Sequence, residues 1–281
     1  MKHDSEGEVN LLWTGGWDST FRLLYLVFVE KRCVQPFYIV DTRRLSTLNE
    51  LKAMHLIREE VAKKNPQLTD LIKPTIIVSI HDIKPDPDIT AKFNRLREKH
   101  SIGSQYDWLA RFAKQWRIPN LELCVNKGDH SYNLLSKCIP NLELRIERCE
   151  HASYTLANLL STHVDNDSRI RQLDENNDVS IFSFFSFPLL KLSKKDMERI
   201  ATEKGFSDML EKTWFCQKPW FNRPCGICTP CDIAIKEGFG YRIPKISKLR
   251  RKLWIVIKCF KKKSTIVKFI MSCFLTFRSS C

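Results

Sequence analysis

The spacing of apolar and polar residues predicts strands that alternate with helices. Apolar residues at Val9–Trp13 indicate a buried strand, and the run from Asp18 to Lys31 has the periodicity of an amphipathic helix. Further short apolar runs predict strands at Pro36–Val40, Pro74–Ile80 and Leu121–Val125. Strands that alternate with helices indicate an α/β protein.

The same pattern predicts elements in the rest of the chain. It predicts helices from Ser46 or Thr47 to Lys64 and over Ser104–Arg117, Ser153–His163 and Lys194–Lys204, with Ser193 capping the last of them. It also predicts strands at Leu142–Ile146 and Ile181–Phe187.

The turn between the first strand and helix has the sequence Thr14-Gly-Gly-Trp-Asp-Ser-Thr20. Gly15 and Gly16 allow the backbone to approach an oxyanion, and a helix that starts here directs its N–H groups towards it. Asp18 stands where we expect the helix N-cap, and Ser19 and Thr20 offer hydroxyls in the first turn. A tight turn without a ligand also fits this pattern.

The ends of the predicted strands carry further candidates, because the carboxyl ends of parallel strands line the ligand crevice of such a sheet. Leu12 and Trp13 end the first strand, and Val40 ends the second. We expect all three beside the glycine turn.

Polar residues follow two later strands. Asp129 and Tyr132 come after the strand at Leu121–Val125 and could recognise the hydrogen-bonding edge of a substrate, although a purely structural turn explains them equally well. Lys194 follows Ile181–Phe187 and could neutralise phosphate charge, whereas a solvated lysine at a helix start is the alternative.

Four cysteines have the spacing C-x8-C-x2-C-x2-C, which favours a metal site. Four thiolates suit tetrahedral Zn²⁺ in a closed structural site. An iron–sulfur cluster is the main alternative, but the ferredoxin spacing has no cysteine placed like the first of these four. A redox dithiol would need only two. The predicted ligands are Cys216, Cys225, Cys228 and Cys231.

The two motifs together resemble one family. The turn is similar to the Ser-Gly-Gly-x-Asp-Ser loop of the PP-loop ATP pyrophosphatases, with Thr14 in place of the leading serine. Combined with the cysteine motif, and with Phe187–Lys194 and Leu210–Cys216 between them, it resembles 7-cyano-7-deazaguanine synthase. The resemblance covers about residues 9–241.

This resemblance implies a doubly wound, mostly parallel sheet with an adenine nucleotide α hydrolase-like fold and a small zinc-knuckle lobe, often in a homodimer. It implies that ATP activates the carboxylate of a carboxy-deazaguanine, that ammonia then forms an amide, and that a second ATP converts the amide into a nitrile. The implied cofactors are structural Zn²⁺ and Mg²⁺, which bridges the phosphates of ATP.

The resemblance also assigns roles to residues of this chain. Pyrophosphate and nucleotide binding fall to Leu12, Trp13, Thr14, Gly15, Gly16, Asp18, Ser19, Thr20 and Val40, and catalysis falls to Asp18, Ser19 and Lys194.

The middle of the chain departs from the family pattern. Where the family carries Tyr-Pro-Asp-Cys-Arg, Gly128–Tyr132 matches only at Asp129 and Tyr132. The alternatives are therefore a PP-loop enzyme acting on another acid, as an amide ligase or an RNA-modifying thiolase, and a nucleotide- and zinc-binding scaffold without turnover. A thiolase would need a sulfur-relaying cysteine, for which Cys124 and Cys138 are the candidates.

Positive charge is concentrated at the end of the sequence. Residues 242–281 hold twelve of the 46 Lys and Arg and no Asp or Glu, which leaves a net charge of only +2 on residues 1–241. Nucleic-acid binding by the body is therefore disfavoured. The basic and apolar clusters of residues 242–281 fit a helix that lies on an anionic membrane surface. A helix docked on a partner, an extension without fixed structure and contact with nucleic acid are the alternatives.

The remaining expectations concern compartment and domains. Eleven cysteines, an odd number, and a polar start of the sequence predict a cytoplasmic protein with reduced thiols. We predict a nucleotide-binding domain over residues 1–205, a zinc-binding lobe over 206–241 and a basic tail over 242–281.

Overall fold

A computed structural model describes residues 7–129, 131–138 and 177–257 of the chain. By internal contacts the described residues form two compact units. The first contains the residues up to Arg43 and from Thr47 to Trp214, and the second contains Arg44–Ser46 and the residues from Phe215 onwards. The elements predicted at Leu142–Ile146 and Ser153–His163 lie outside the described residues.

The first unit is built on a parallel sheet. Its five described strands are β1 (Val9–Leu12), β2 (Val34–Val40), β3 (Ile76–Ser79), β4 (Leu121–Glu122) and β5 (Phe185–Ser186). They lie in the order β3-β2-β1-β4-β5, and every neighbouring pair is parallel. The sheet confirms the predicted α/β class, and β1 lies at its centre.

The helices of this unit are α1 (Trp17–Tyr25), α2 (Thr47–Lys64), α3 (Pro87–Lys99), α4 (Gln105–Gln115), α5 (Tyr132–Cys138), α6 (Lys194–Glu203) and α7 (Ser207–Leu210). A π-helix (Leu26–Glu30) continues α1, and 3₁₀ helices occupy Pro66–Leu71, Ile80–Asp82 and Asp178–Phe182.

Successive side chains of a strand point to opposite faces of the sheet, and on β2 both sets pack against helices. Phe37 and Ile39 of β2 pack into a hydrophobic cluster with α3 and α4. Tyr38, between them, points to the opposite face and donates a hydrogen bond of 2.6 Å to Glu50 of α2. Both faces of β2 are therefore covered, as is usual in parallel sheets, whereas Ile76 and Ile77 of the edge strand β3 stay 44% and 54% exposed.

Several predicted elements are confirmed, with changes at their ends. Helix α6 begins after Ser193, whose hydroxyl and backbone form a capping box with Asp196, and Gly205 follows the helix at φ 76°. The strand predicted at Ile181–Phe187 is wrong in its first half, which is a 3₁₀ helix, so only Phe185–Ser186 pair with β4. Burial of the phenylalanines rather than β pairing explains the apolar run.

Helix α3 was not among the predicted elements. Asp86 caps it by accepting a hydrogen bond from the Ile89 amide, and Pro87 occupies its first turn. The buried residues Ile89, Phe93 and Leu96 follow helical spacing. The Asp-Pro pair followed by that spacing was the signal in the sequence.

A buried ion pair joins α1 to the centre of the sheet. Arg22 is fully buried and makes two hydrogen bonds of 2.8 Å to the carboxylate of Glu122 on β4 and a third of 2.8 Å to Glu30. Burial opposes the charge of Arg22, but the two carboxylates outweigh it and raise the pKa of its guanidinium. The arginine therefore stays charged inside the unit.

The second unit contains α8 (Thr229–Lys236), a 3₁₀ helix (Phe239–Arg242) and a helical segment over residues 245–257. Arg251 of the segment pairs with Asp232 of α8 and donates a hydrogen bond of 3.1 Å to the Gly226 carbonyl. Among the described residues, no helix combines the length and the apolar content that crossing a bilayer requires.

We expect Glu122→Gln to lower the free energy of unfolding by about 3–5 kcal/mol, because it leaves the buried charge of Arg22 without its main partner. The double variant Arg22→Met with Glu122→Leu removes both charges and should be more stable than Glu122→Gln alone. Equilibrium urea unfolding of the variants measures this. A loss below about 1 kcal/mol in Glu122→Gln would show that the pair contributes little.

Candidate functional site

The glycine turn lies where a parallel sheet places ligands. It follows β1, the central strand of the sheet, which has β2 on one side and β4 on the other. The strand order reverses direction at β1. The loops after two such neighbouring strands leave in opposite directions and open a crevice between them. The turn and the loop after β4 therefore border the candidate site.

The two glycines of the turn have different structural roles. Gly15 has φ 66°, and a Cβ there would lie 2.8 Å from the Glu50 carbonyl oxygen of α2. Gly16 is the N-cap of α1 at φ −79°, and a Cβ there would come no closer than 3.3 Å to the Thr14 hydroxyl. The fold therefore requires glycine at position 15, whereas at position 16 the nearest backbone atom to an added Cβ is the Trp214 carbonyl oxygen at 3.7 Å.

Hydrogen bonds hold the turn from several sides. The Trp13 indole donates to the Thr20 hydroxyl at 3.0 Å, and the Trp214 amide donates to the Gly15 carbonyl at 2.8 Å. Ser19 lies close enough for a long contact of 3.4 Å from the Thr14 amide to its hydroxyl. The turn is thus a preformed loop at a helix N-terminus.

Several of the predicted nucleotide-binding side chains take part in packing the first unit. Leu12 packs against the hydrophobic cluster of α3 and α4, and Trp13 is fully buried beneath the Arg58 guanidinium. Thr20 is also fully buried, with its hydroxyl turned to Trp13. Trp13 and Thr20 therefore shape the turn from inside and can offer only backbone groups to a ligand, whereas Leu12 stays partly exposed.

Asp18 occupies the first turn of α1 and not the N-cap, so the predicted cap was wrong. The helix starts two residues earlier than the polar pattern suggested, because Trp17 is already helical and Gly16 caps it. Asp18 acts electrostatically on Cys124, whose pKa is raised well above its ordinary range by burial first, and then by Glu122, Asp18 and Asp129. This coupling indicates that Asp18 and Asp129 both lie around the end of β4.

The other predicted residues are distributed along the same edge of the sheet. Val40 ends β2, and Lys194 starts α6, which packs against α1. The loop of Asp129 is joined to the segment before α6 by a hydrogen bond of 3.1 Å from the Lys127 amide to the Leu192 carbonyl. Tyr132 is half-buried against the hydrophobic cluster.

The four predicted metal ligands are brought together in the second unit. All four sulfur atoms are buried and lie within 4.8 Å of one another. A tetrahedron with Zn–S bonds of about 2.3 Å has an edge of about 3.8 Å. The Cys216–Cys228 and Cys225–Cys231 sulfur pairs are 3.8 Å and 3.9 Å apart. The cluster could therefore hold a zinc ion.

Backbone amides surround the sulfur atoms. The amide of Cys225 donates to the Cys216 sulfur at 3.2 Å, and the amides of Ile227 and Cys228 donate to the Cys225 sulfur at 3.5 Å and 3.3 Å. Such N–H···S bonds stabilise thiolate charge and orient the ligands.

Proximity couples the ionisation of the thiols. Hydrogen bonds with Cys228 raise the pKa of Cys216 to about 12, and hydrogen bonds within the cluster also raise the pKa of Cys231 and lower that of Cys228. Four thiolates this close repel one another, so a divalent cation is the group that would let all four deprotonate together.

Gly226 closes the cysteine cluster against the helical segment. Its φ is 77°, and a Cβ there would lie 2.6 Å from the Ser247 carbonyl oxygen. The close approach explains the glycine between Cys225 and Cys228, and it could not be inferred from the spacing of the cysteines because Ser247 is distant in sequence.

Comparison with protein-family models and with curated proteins returned no match for this chain.

We expect Gly15→Ala to lower the free energy of unfolding by at least about 2 kcal/mol, because it adds a strained φ to a clash with the backbone of α2. Gly16→Ala is the matched control and should cost less than about 1 kcal/mol, since the nearest atom is a rotatable hydroxyl. Urea unfolding measures both. Equal losses would show that the turn is not held against α2.

We expect the purified chain to contain one zinc ion, and Cys228→Ser to lose it, as determined by elemental analysis. Cys33→Ser is the control, because Cys33 lies outside the cluster. A variant that retains the metal without Cys228 would contradict the assignment.

Proposed function

We propose that the first unit binds ATP at the glycine turn and cleaves it to AMP and pyrophosphate while activating a carboxylate or an amide for attack by ammonia. The observation that carries the proposal is the position of the Thr14–Thr20 motif at the carboxyl end of the central strand, with Gly15 in the left-handed conformation. This arrangement fits the PP-loop type of α/β fold, of which 7-cyano-7-deazaguanine synthase is the proposed model.

The roles follow from charge and position. The first-turn amides of α1 have no acceptors within the helix, and the helix dipole favours an anion beside them, so this end of α1 suits pyrophosphate. Asp18 would hold Mg²⁺, which neutralises the phosphates when it is bound. Ser19 is the hydroxyl next to the turn, and Lys194 would offset the charge that grows on the α-phosphate.

The reaction requires two activations. In the first, the substrate carboxylate attacks the α-phosphate of ATP, pyrophosphate leaves, and ammonia displaces AMP to form the amide. In the second, the amide oxygen attacks the α-phosphate of another ATP and pyrophosphate leaves. The amide nitrogen then loses its two protons as AMP departs and the nitrile forms. The protein needs no covalent nucleophile, because positioning and electrostatics supply the rate enhancement.

The positions of Tyr132 and Asp129 favour a related candidate, which is an enzyme with the same loop that acts on another acid. The Tyr132 ring is half-buried against the hydrophobic cluster and its loop partner Asp129 is exposed, an arrangement that offers little enclosure for a deazapurine. The thiolase alternative is less favoured, because burial raises the pKa of Cys124 and leaves it a weak nucleophile at neutral pH.

The test measures pyrophosphate release from ATP and Mg²⁺ with carboxy-deazaguanine and ammonium, with the product mass determined in parallel. We expect Asp18→Asn to abolish turnover and Lys194→Met to lower kcat by roughly 10²-fold or more, since both remove charge beside the reacting phosphates. Asp88→Asn, at an exposed ion pair on α3, is the matched control and should keep full activity.

The outcomes separate the candidates. A nitrile product supports the deazaguanine reaction, and release of pyrophosphate without a nitrile moves the assignment to another acid. No release and no ATP binding by folded, zinc-containing protein would overturn the proposal. ATP binding without turnover on any tested acid would favour a scaffold.

A further inference from the structure

The second unit presents an apolar stripe to solvent. On the helical segment 245–257, Ile246, Leu249 and Leu253 are 48%, 55% and 58% exposed, and Val256 and Ile257 are about equally exposed. Their spacing of three and four residues places them on one face of the helix. An exposed, continuous apolar face marks an interaction surface and is uncommon on a protein without a partner.

This stripe faces away from the unit's own packing. Ser247 is fully buried beside Gly226, and Arg251 pairs with Asp232 and with the Gly226 carbonyl. The buried side and the apolar stripe therefore occupy different faces of the segment. Among the described residues, none covers this apolar stripe, which stays exposed to solvent.

A hairpin between the cysteines adds a second exposed apolar group. Trp220 and Arg223 exchange backbone hydrogen bonds of 2.9 Å and 3.1 Å around Phe221 and Asn222, which have φ values of 47° and 55°. Two consecutive positive φ values are typical of a type I′ turn, in which Asn and Gly are preferred. Phe221 is strained in this conformation, yet its side chain is 81% exposed.

An aromatic stack connects the hairpin to the stripe. The Arg250 guanidinium lies 4.9 Å from the centre of the Trp220 ring, and the Trp220 and Phe221 rings are 5.1 Å apart. Arg250 is one turn from Ile246 and from Leu253 along the segment. The tip of the hairpin and the edge of the stripe therefore belong to one surface, which we name the basic apolar surface: Phe221 together with the exposed residues of the segment 246–257.

Charge selects the occupant of this surface. Residues 215–257 hold nine Lys or Arg and two acidic residues, one of which, Asp232, is already paired with Lys236 and Arg251. A second copy of this chain would bring like charges together. A nucleic acid would satisfy the cations but would leave the aliphatic stripe in water. An anionic bilayer accommodates both the basic side chains and the apolar stripe, because lipid phosphates pair with the cations and acyl chains bury the stripe.

We propose that the basic apolar surface binds the face of an anionic lipid bilayer, with residues 246–257 lying in the interface and Phe221 inserted beside them. This inference does not depend on the proposed reaction of the first unit. It requires only the zinc-containing fold of the second unit and the exposed residues that it presents.

The test is flotation of the full-length, zinc-containing protein with vesicles of phosphatidylcholine alone or mixed with phosphatidylserine. We expect binding only to the mixed vesicles, and weaker binding as salt is added, because surface charge is screened. The double variant Leu249→Glu with Leu253→Glu should weaken binding at least about tenfold, since it removes two apolar anchors.

Two further variants separate this role from folding. Phe221→Asn suits the positive φ, so it should leave thermal stability unchanged or raised while weakening vesicle binding several-fold. Leu48→Glu replaces a residue of α2 that is 80% exposed, and it should change nothing.

Some results would overturn the proposal. One is equal binding by wild type and the Leu249→Glu, Leu253→Glu double variant. Another is no binding to phosphatidylserine vesicles, including the case in which a single-stranded oligonucleotide binds instead. Self-association that the double variant abolishes, without vesicle binding, would assign the surface to a second copy of the chain.

Discussion

The buried ion pair between Arg22 and Glu122 connects the parts of the first unit on which the candidate site depends. It fixes α1, which starts at the glycine turn, to β4, whose following loop forms the other side of the crevice. Glu30 holds the guanidinium from a third direction at the end of the π-helix. A charge of this kind is stable inside a protein only while all its partners stay in place, so the pair favours one arrangement of α1 on the sheet.

Close backbone packing holds the glycine turn in place. Gly15 lies against the backbone of α2, and its carbonyl accepts the Trp214 amide, so both α2 and the chain after α7 determine its path. Within the second unit, Gly226 has the same relation to Ser247. In each case a left-handed glycine allows a contact that no side chain could occupy, and a prospective binding site lies next to it.

The two units combine different chemistries. The first offers a helix N-terminus at the switch point of a parallel sheet, which suits a phosphate group. The second offers four clustered sulfur atoms and a surface that is both basic and apolar. Buried thiols give this small unit, which has little hydrophobic interior, a centre that a metal ion could stabilise.

Local pattern was enough to predict the α/β class, the ends of α2, α4 and α6 to within two residues and the four clustered cysteines. Periodicity, capping residues and ligand spacing are properties of short segments. It did not predict that Thr20 and Trp13 face each other, that Asp18 lies inside the helix or that Arg22 meets Glu122. The first and last of these are contacts between residues of different elements, which local pattern does not contain. The position of Asp18 depends on the residue at which the helix begins. The sequence by itself determined the α/β class, several of the helices and strands, and which side chains could bind a metal. Only the tertiary structure decided which of the predicted site residues face the crevice and which apolar residues remain exposed, because burial depends on packing between segments distant in sequence.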